Sequence, residues 1–175
     1  MVVELGLFSL IIALLLSGAQ AWFGLAGPAF GNRRWMAAAR RAVTGQWGFV
    51  AMSFGVLCWA FYKNDFSVLY VANNSNSELP TFYRFAAVWG AHGGSLLLWA
   101  LALSTWSVAV GAFSRGLPET YAARLLGVLG VVSVGFQLFI LLTSSPFERL
   151  FPAAVDGRDL NPLLQDPGMV IHPPM

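Results

Sequence analysis

The chain holds two histidines and one cysteine, and the setting of each limits the chemistry it can do. His172 stands in front of Pro173 and Pro174. A residue before proline is driven out of the helical region, and the prolines fix the following backbone without offering an N–H. The imidazole is therefore presented from a stiff, extended segment. Held neutral, with its second nitrogen engaged by an acceptor, such an imidazole suits the axial position of a haem iron. On spacing alone the commoner reading is a solvated histidine at the start of another helix.

His92 follows Trp89 in "RFAAVWGAHGGS", where an indole and an imidazole could rest together against the edge of a flat ligand. The commoner reading of such an interfacial histidine is packing at the start of a helix. Cys58 lies in an apolar run with no second thiol in the chain, which removes disulfide and CxxC chemistry. Asp166 precedes Pro-Gly and Asp159 precedes a helix-capping Asn161; with Asp156 they read as turn residues rather than an acid/base or metal cluster. Arg149 and Arg158 have the geometry to meet carboxylates such as haem propionates, but no spacing fixes them there. No nucleophile with a base, glycine-rich phosphate loop or His/Cys metal spacing is present.

The elements that must position these residues are apolar. Of the 175 residues 57% are hydrophobic and 10% charged, with a mean hydropathy of +0.66, far beyond a soluble domain. The net charge is +2, and no basic stripe interleaved with aromatics supports nucleic-acid binding. Residues 5–26, 43–62, 85–113 and 125–143 carry no charge. Each is long enough to cross a hydrocarbon core of about 30 Å, which takes about 20 residues. The fold class expected is all-α: a polytopic membrane protein with four transmembrane helices in residues 1–143 and an interfacial tail in 144–175. The "AQA" at residues 19–21 imitates a signal cleavage site, but the arginines follow the apolar run instead of preceding it, so the run is read as a span.

Arg33, Arg34, Arg40 and Arg41 lie between the first two spans, and Arg115 and Arg124 between the last two, which puts both connections in the cytoplasm. The N-terminus, the loop at 65–84 and the tail with His172 then lie outside. A helix over 85–113 would be about 43 Å long, so residues 89–95 are assigned to the outer interface. In the outer loop, residues 66–71 read as strand-like and 73–77 as a polar turn. In the tail, Asn161 and Pro162 open one or two helical turns. Gln137 should hydrogen-bond to another helix, and Trp22, Trp47, Trp59, Trp99 and Trp106 fit aromatic belts and packing.

"WGAHGGSLLLWALALSTW", followed by "GRDLNPLLQDPGMVIHPPM", resembles the N-terminal part of the CcmF-type cytochrome c biogenesis proteins, the membrane subunit of the bacterial haem lyase. The resemblance covers essentially the whole chain, and the "DLNPLLQDPG…IHPP" combination is its specific part. It implies a multi-pass protein of the bacterial inner membrane, with N-terminus and tail periplasmic and haem as the cofactor. The implied partners are other haem lyase and cytochrome c maturation subunits, a haem-carrying chaperone, apocytochrome c and the lipid bilayer. His172 would be the first of two outer-face histidines ligating haem iron; Trp89 and His92 are candidate cofactor contacts by position alone, not by the resemblance. The tryptophan-rich segment and remaining histidines of such a site would lie beyond residue 175, so the chain resembles about the first quarter of a member and is not expected to retain haem alone.

Two other classes compete. A transporter or proton-pumping subunit would place ionisable residues inside its spans, and none of the four stretches has an Asp, Glu, Lys or Arg. A structural docking subunit that never touches haem stays open, because one histidine is half a ligand set.

Overall fold

The computed structural model describes residues 2–166 and residue 168; the segment carrying His172 lies outside the described residues. Four helices are long and apolar enough to cross a membrane: α1 (Val2–Ala29), α2 (Arg33–Tyr62), α5 (His92–Phe113) and α6 (Glu119–Thr143). Two short helices, α3 (Leu69–Asn74) and α4 (Thr81–Ala87), lie between α2 and α5, and a 3-10 turn, Pro162–Gln165, lies near the end. Among the described residues there is no strand, only one antiparallel bridge between Val68 and Arg149.

The described parts of residues 1–8, 52–99 and 140–175 form one compact unit, and residues 9–51 with 100–139 form another. In the second unit, α1 stops where Gly31 adopts φ +63°, a left-handed conformation that costs glycine nothing. Asn32 then caps α2, its side-chain oxygen accepting the N–H groups of Arg34 at 3.0 Å and Trp35 at 3.3 Å. The sequence "FGN" is thus the whole connection. The arginines read as a loop between spans sit inside the first turns of α2 instead, because an asparagine cap leaves nothing to delay helix formation.

Helices α1 and α6 meet backbone to backbone in this unit. A Cβ on Gly24 would come within 2.6 Å of the Gly127 Cα, and one on Gly130 within 2.7 Å of the Ala21 nitrogen. Small residues that let helices approach this closely are the main source of association where lipid leaves little hydrophobic drive. Polar side chains then bridge the same pair: Gln20 Nε2 donates to the Leu126 carbonyl at 2.7 Å, and the Ser17 hydroxyl reaches Gln137 Oε1 at 3.4 Å. Gln137 therefore does face another helix.

In the first unit two expectations change. The strand-like stretch at 66–71 pairs at Val68 alone and turns into α3, because a single bridge offers no ladder to support a strand and local helix formation wins. The apolar run at 85–113 is not one helix: α4 ends at Ala87, residues 88–91 turn, and α5 starts at His92. The break at 88–91 overlaps the segment assigned to an interface, and His92, Gly93, Gly94 and Ser95 form the first turn of α5.

Gly24→Ala should lower the thermal stability of the detergent-solubilised protein by about 1–3 kcal/mol, because its methyl group must push two backbones apart. Gly48→Ala, where nothing lies within 4 Å of an added Cβ, should leave the melting temperature equal or higher. Equal losses in the two variants would contradict the contact.

Candidate functional site

Of the described residues with a sequence argument for haem contact, Trp89 lies in the turn between α4 and α5 and His92 opens α5. This turn lies between helices whose own hydrogen bonds it interrupts, so its backbone groups need other partners. The N–H groups of Val88, Trp89 and Gly90 bond to the carbonyls of Phe85, Ala86 and Ala87 at 3.2, 3.3 and 3.0 Å, and Tyr70 on α3 serves groups on either side of them. Its hydroxyl donates toward the carbonyl of Ala91 at 2.9 Å, with that of Val88 at 3.1 Å, and accepts the Ala91 N–H at 3.2 Å. The Gly94 N–H also donates to it. Ser95 closes the loop, its hydroxyl donating to the Trp89 carbonyl at 2.6 Å.

The glycines make this closure possible. A Cβ on Gly94 would overlap the Val88 carbonyl and come within 2.6 Å of the Tyr70 hydroxyl, and one on Gly93 would lie 2.7 Å from the Ser144 carbonyl beyond α6. "HGGS" is therefore a packing sequence: two residues without side chains let the start of α5 sit against two backbones. Leu164 of the 3-10 turn lies over Gly90, and that turn packs on α4. The result is a fixed turn with Trp89 half-buried and His92 exposed.

Tyr70 is itself held. Its ring meets that of buried Phe61 edge-on at 5.6 Å. The Leu69 N–H donates to the Glu148 carbonyl at 2.9 Å, and the Leu150 N–H to the Ser67 carbonyl at 2.8 Å, which fastens the start of α3 to the segment after α6. Arg149 anchors that seam through Glu4 at 2.5 Å, Asp65 at 3.6 Å and the Ser67 hydroxyl. Further along, Asp156 accepts from the Ser77 N–H at 3.0 Å and the Ser77 hydroxyl at 2.6 Å, and Asn76 donates to Asp159. The Arg84 guanidinium, in turn, donates to the carbonyls of Leu79 at 2.8 Å and Ser77 at 2.9 Å.

These contacts assign the charged candidates. Asp156 and Asp159 bind loop residues, and Asp166 accepts the Gly168 N–H at 2.8 Å, all turn duties. Arg149, a propionate candidate by residue type, is engaged by the two carboxylates and a hydroxyl named above. Arg158 is exposed, and its backbone N–H donates to the Ala72 carbonyl at 2.7 Å. Among the described residues no group of three His, Cys, Asp or Glu side chains could hold a metal ion. Trp89 in the turn and His92 at the start of α5 are neighbours in the chain; His172 lies outside the described residues. Sequence reasoning missed Tyr70, one aromatic among many, whose only signal was its place in a loop facing a Gly-Gly helix start.

The family described as Cytochrome C assembly protein matches residues 89–175. The chain is similar to the cytochrome c-type biogenesis protein CcmF of Pseudomonas aeruginosa, 57% identical over 100% of this chain and 27% of that protein. CcmF of Escherichia coli is 54% identical over 94% of this chain and 25% of that protein. Among solved structures, one titled Cytochrome c Heme Lyase CcmF superposes with a TM-score of 0.85 at 26% identity, covering 98% of this chain and 27% of that one. The chain spans about a quarter of the length of the curated relatives it matches.

Burial pushes the Tyr70 hydroxyl up to about 12, partly offset by the Gly94 and Ala91 N–H groups it accepts. A raised value means the neutral form is favoured in the fold: its contribution is complete below the ordinary tyrosine value of 10.0 and is lost as pH climbs to about 12. Tyr70→Phe should cost about 1–3 kcal/mol through unpartnered backbone groups. It should also remove one tyrosine's share of the absorbance change near pH 12 from a tyrosine titration; an unchanged amplitude there in the variant would contradict the assignment. At the acid end, the Ser77 hydroxyl, followed by the Gly157 and Ser77 N–H groups, holds the Asp156 carboxyl below its ordinary value. A depressed value gives a contribution present above the ordinary carboxylate range and lost as pH falls below it. Proteolysis within residues 76–80 should therefore accelerate on acidification in the native protein, and be fast at all pH values in Asp156→Ala. A native rate independent of pH would contradict it.

Proposed function

This chain belongs to the CcmF-type cytochrome c biogenesis proteins, and on that premise we propose that it serves cytochrome c maturation by forming part of the haem-handling side of a haem lyase. The observation that carries the proposal is the span of the family match, which opens at Trp89 on the pinned turn and runs through His172. The turn suits contact with the edge of a haem. It offers an exposed imidazole and a half-buried indole from a backbone fixed by Tyr70 and Ser95, so neither contact would need a loop to be ordered first. When bound, haem supplies the vinyl groups to which the thiols of an apocytochrome add.

His172 is the axial ligand in this proposal, and Trp89 with His92 flank the macrocycle. The chain's part is to orient and hold, not to supply a nucleophile. The protein is a multi-pass membrane protein; its placement in a bacterial inner membrane, with the N-terminus and the 144–175 tail in the periplasm, belongs to the proposal. So do the partners: other haem lyase and maturation subunits, a haem-carrying chaperone and apocytochrome c.

The test uses the full-length protein in cells reporting holocytochrome c, with haem retention read from the Soret band after purification. His172→Ala should reduce holocytochrome to background and diminish the Soret band, while His92→Ala should keep both at reduced levels. Wild-type yield in His172→Ala, or labelling of a cysteine at 172 from the cytoplasmic side alone, would overturn the proposal.

A further inference from the structure

Arg40 sits in the second turn of α2 and points its guanidinium at the end of α5. It donates to the Gly111 carbonyl at 2.6 Å and to the Ser114 hydroxyl at 3.4 Å. The last carbonyls of a helix lack intrahelical donors, and α5 has no basic residue of its own in its last turn, so Arg40 caps it from outside. Both partners are neutral. Among the described residues no carboxylate lies within ion-pair distance of Arg40, and the Glu119 carboxylate is 3.8 Å from exposed Arg33 instead. A half-buried guanidinium is thus left without a counter-charge, on a helix apolar enough to span a membrane.

Beside it lies a cleft of about 400 Å³ lined by Arg40, Val43, Thr44, Val108, Gly111 and Ala112. Among the described lining residues the cleft is charged at one point only, Arg40. Val43, Val108 and Ala112 form an apolar wall, Thr44 adds a hydroxyl, and a Cβ added at Gly111 would meet nothing within 4 Å. One fixed cation at the head of a greasy groove between two helices matches a phosphodiester attached to an acyl chain.

We propose that this cleft seats an anionic phospholipid, its phosphate on the Arg40 guanidinium and its acyl chain along Val43, Val108 and Ala112. The charge complementarity favours an anionic lipid over a zwitterionic one, whose own ammonium offsets the phosphate. The apolar wall favours a lipid over a free anion. The lipid would supply the counter-charge that the fold lacks and steady the α2–α5 contact that Arg40 makes. The site is independent of the haem reading, since it shares no residue with the turn or with His172.

The test is lipid retention by the purified, delipidated protein in neutral detergent, read by native mass spectrometry and by melting temperature. Phosphatidylglycerol should be retained about fivefold over phosphatidylcholine, the scale of one guanidinium at a membrane surface, and should raise the melting temperature. Arg40→Gln should abolish that preference and Arg40→Lys should keep most of it. Gly111→Leu fills the groove while leaving the backbone carbonyl and Arg40 in place, so it should lose the lipid even where Arg40→Gln proves too unstable to purify. Equal retention of the two lipids, an undiminished preference in Gly111→Leu, or the same stabilisation from inorganic phosphate alone would overturn the proposal.

Discussion

One buried hydroxyl holds the region of interest together. The turn at 88–91 interrupts what the sequence would otherwise make a single helix, and every residue in it brings an N–H and a C=O that water cannot reliably serve. Tyr70 meets part of this demand from a distance, as donor and acceptor at once, and Gly94 keeps the space that lets it. Remove the hydroxyl and the Ala91 N–H and the Val88 carbonyl lose that partner, leaving the turn to Ser95 and its local backbone bonds. The chain of dependence runs back through α3 to the Val68–Arg149 bridge and on to the Glu4 and Asp65 carboxylates that fix Arg149.

The second unit answers the same constraint with other means. There the helices are continuous, so the demand comes from helix ends and from polar side chains in the interior. Gln20 gives its amide to a main-chain carbonyl of α6, Arg40 gives its guanidinium to a main-chain carbonyl of α5, and glycines let α1 and α6 touch without side chains between them. In both units side chains from one element complete the backbone of another. This explains why Ser, Gln and Gly, weak signals in any helix prediction, recur at the contacts that matter.

Much of the architecture was legible because hydropathy needs no tertiary context. The four long helices follow from uncharged runs, and the excess length of residues 85–113 signalled a break. What could not be read was long-range pairing. Nothing local distinguishes Glu4 and Arg149 as partners, or Tyr70 from the other tyrosines, because their value comes from residues far away in the chain. The strand-like signal at 66–71 failed for the related reason that β-pattern has meaning only beside a neighbouring strand. The arginines at 33, 34, 40 and 41 were placed in the connection between spans since charge ordinarily marks connections, whereas the turn signal lay in Gly31 and Asn32. For the candidate site, Trp89 and His92 were visible by type and spacing, but the reason they are held in place was not.

The direct measurement is amide hydrogen exchange across residues 88–95 in the solubilised protein. A turn locked by Tyr70 should show the Ala91 and Gly94 amides exchanging as slowly as those of neighbouring helical residues, and Tyr70→Phe should accelerate those two selectively. Fast exchange at both amides in the unaltered protein, comparable to an open loop, would contradict the fixed turn on which the account rests.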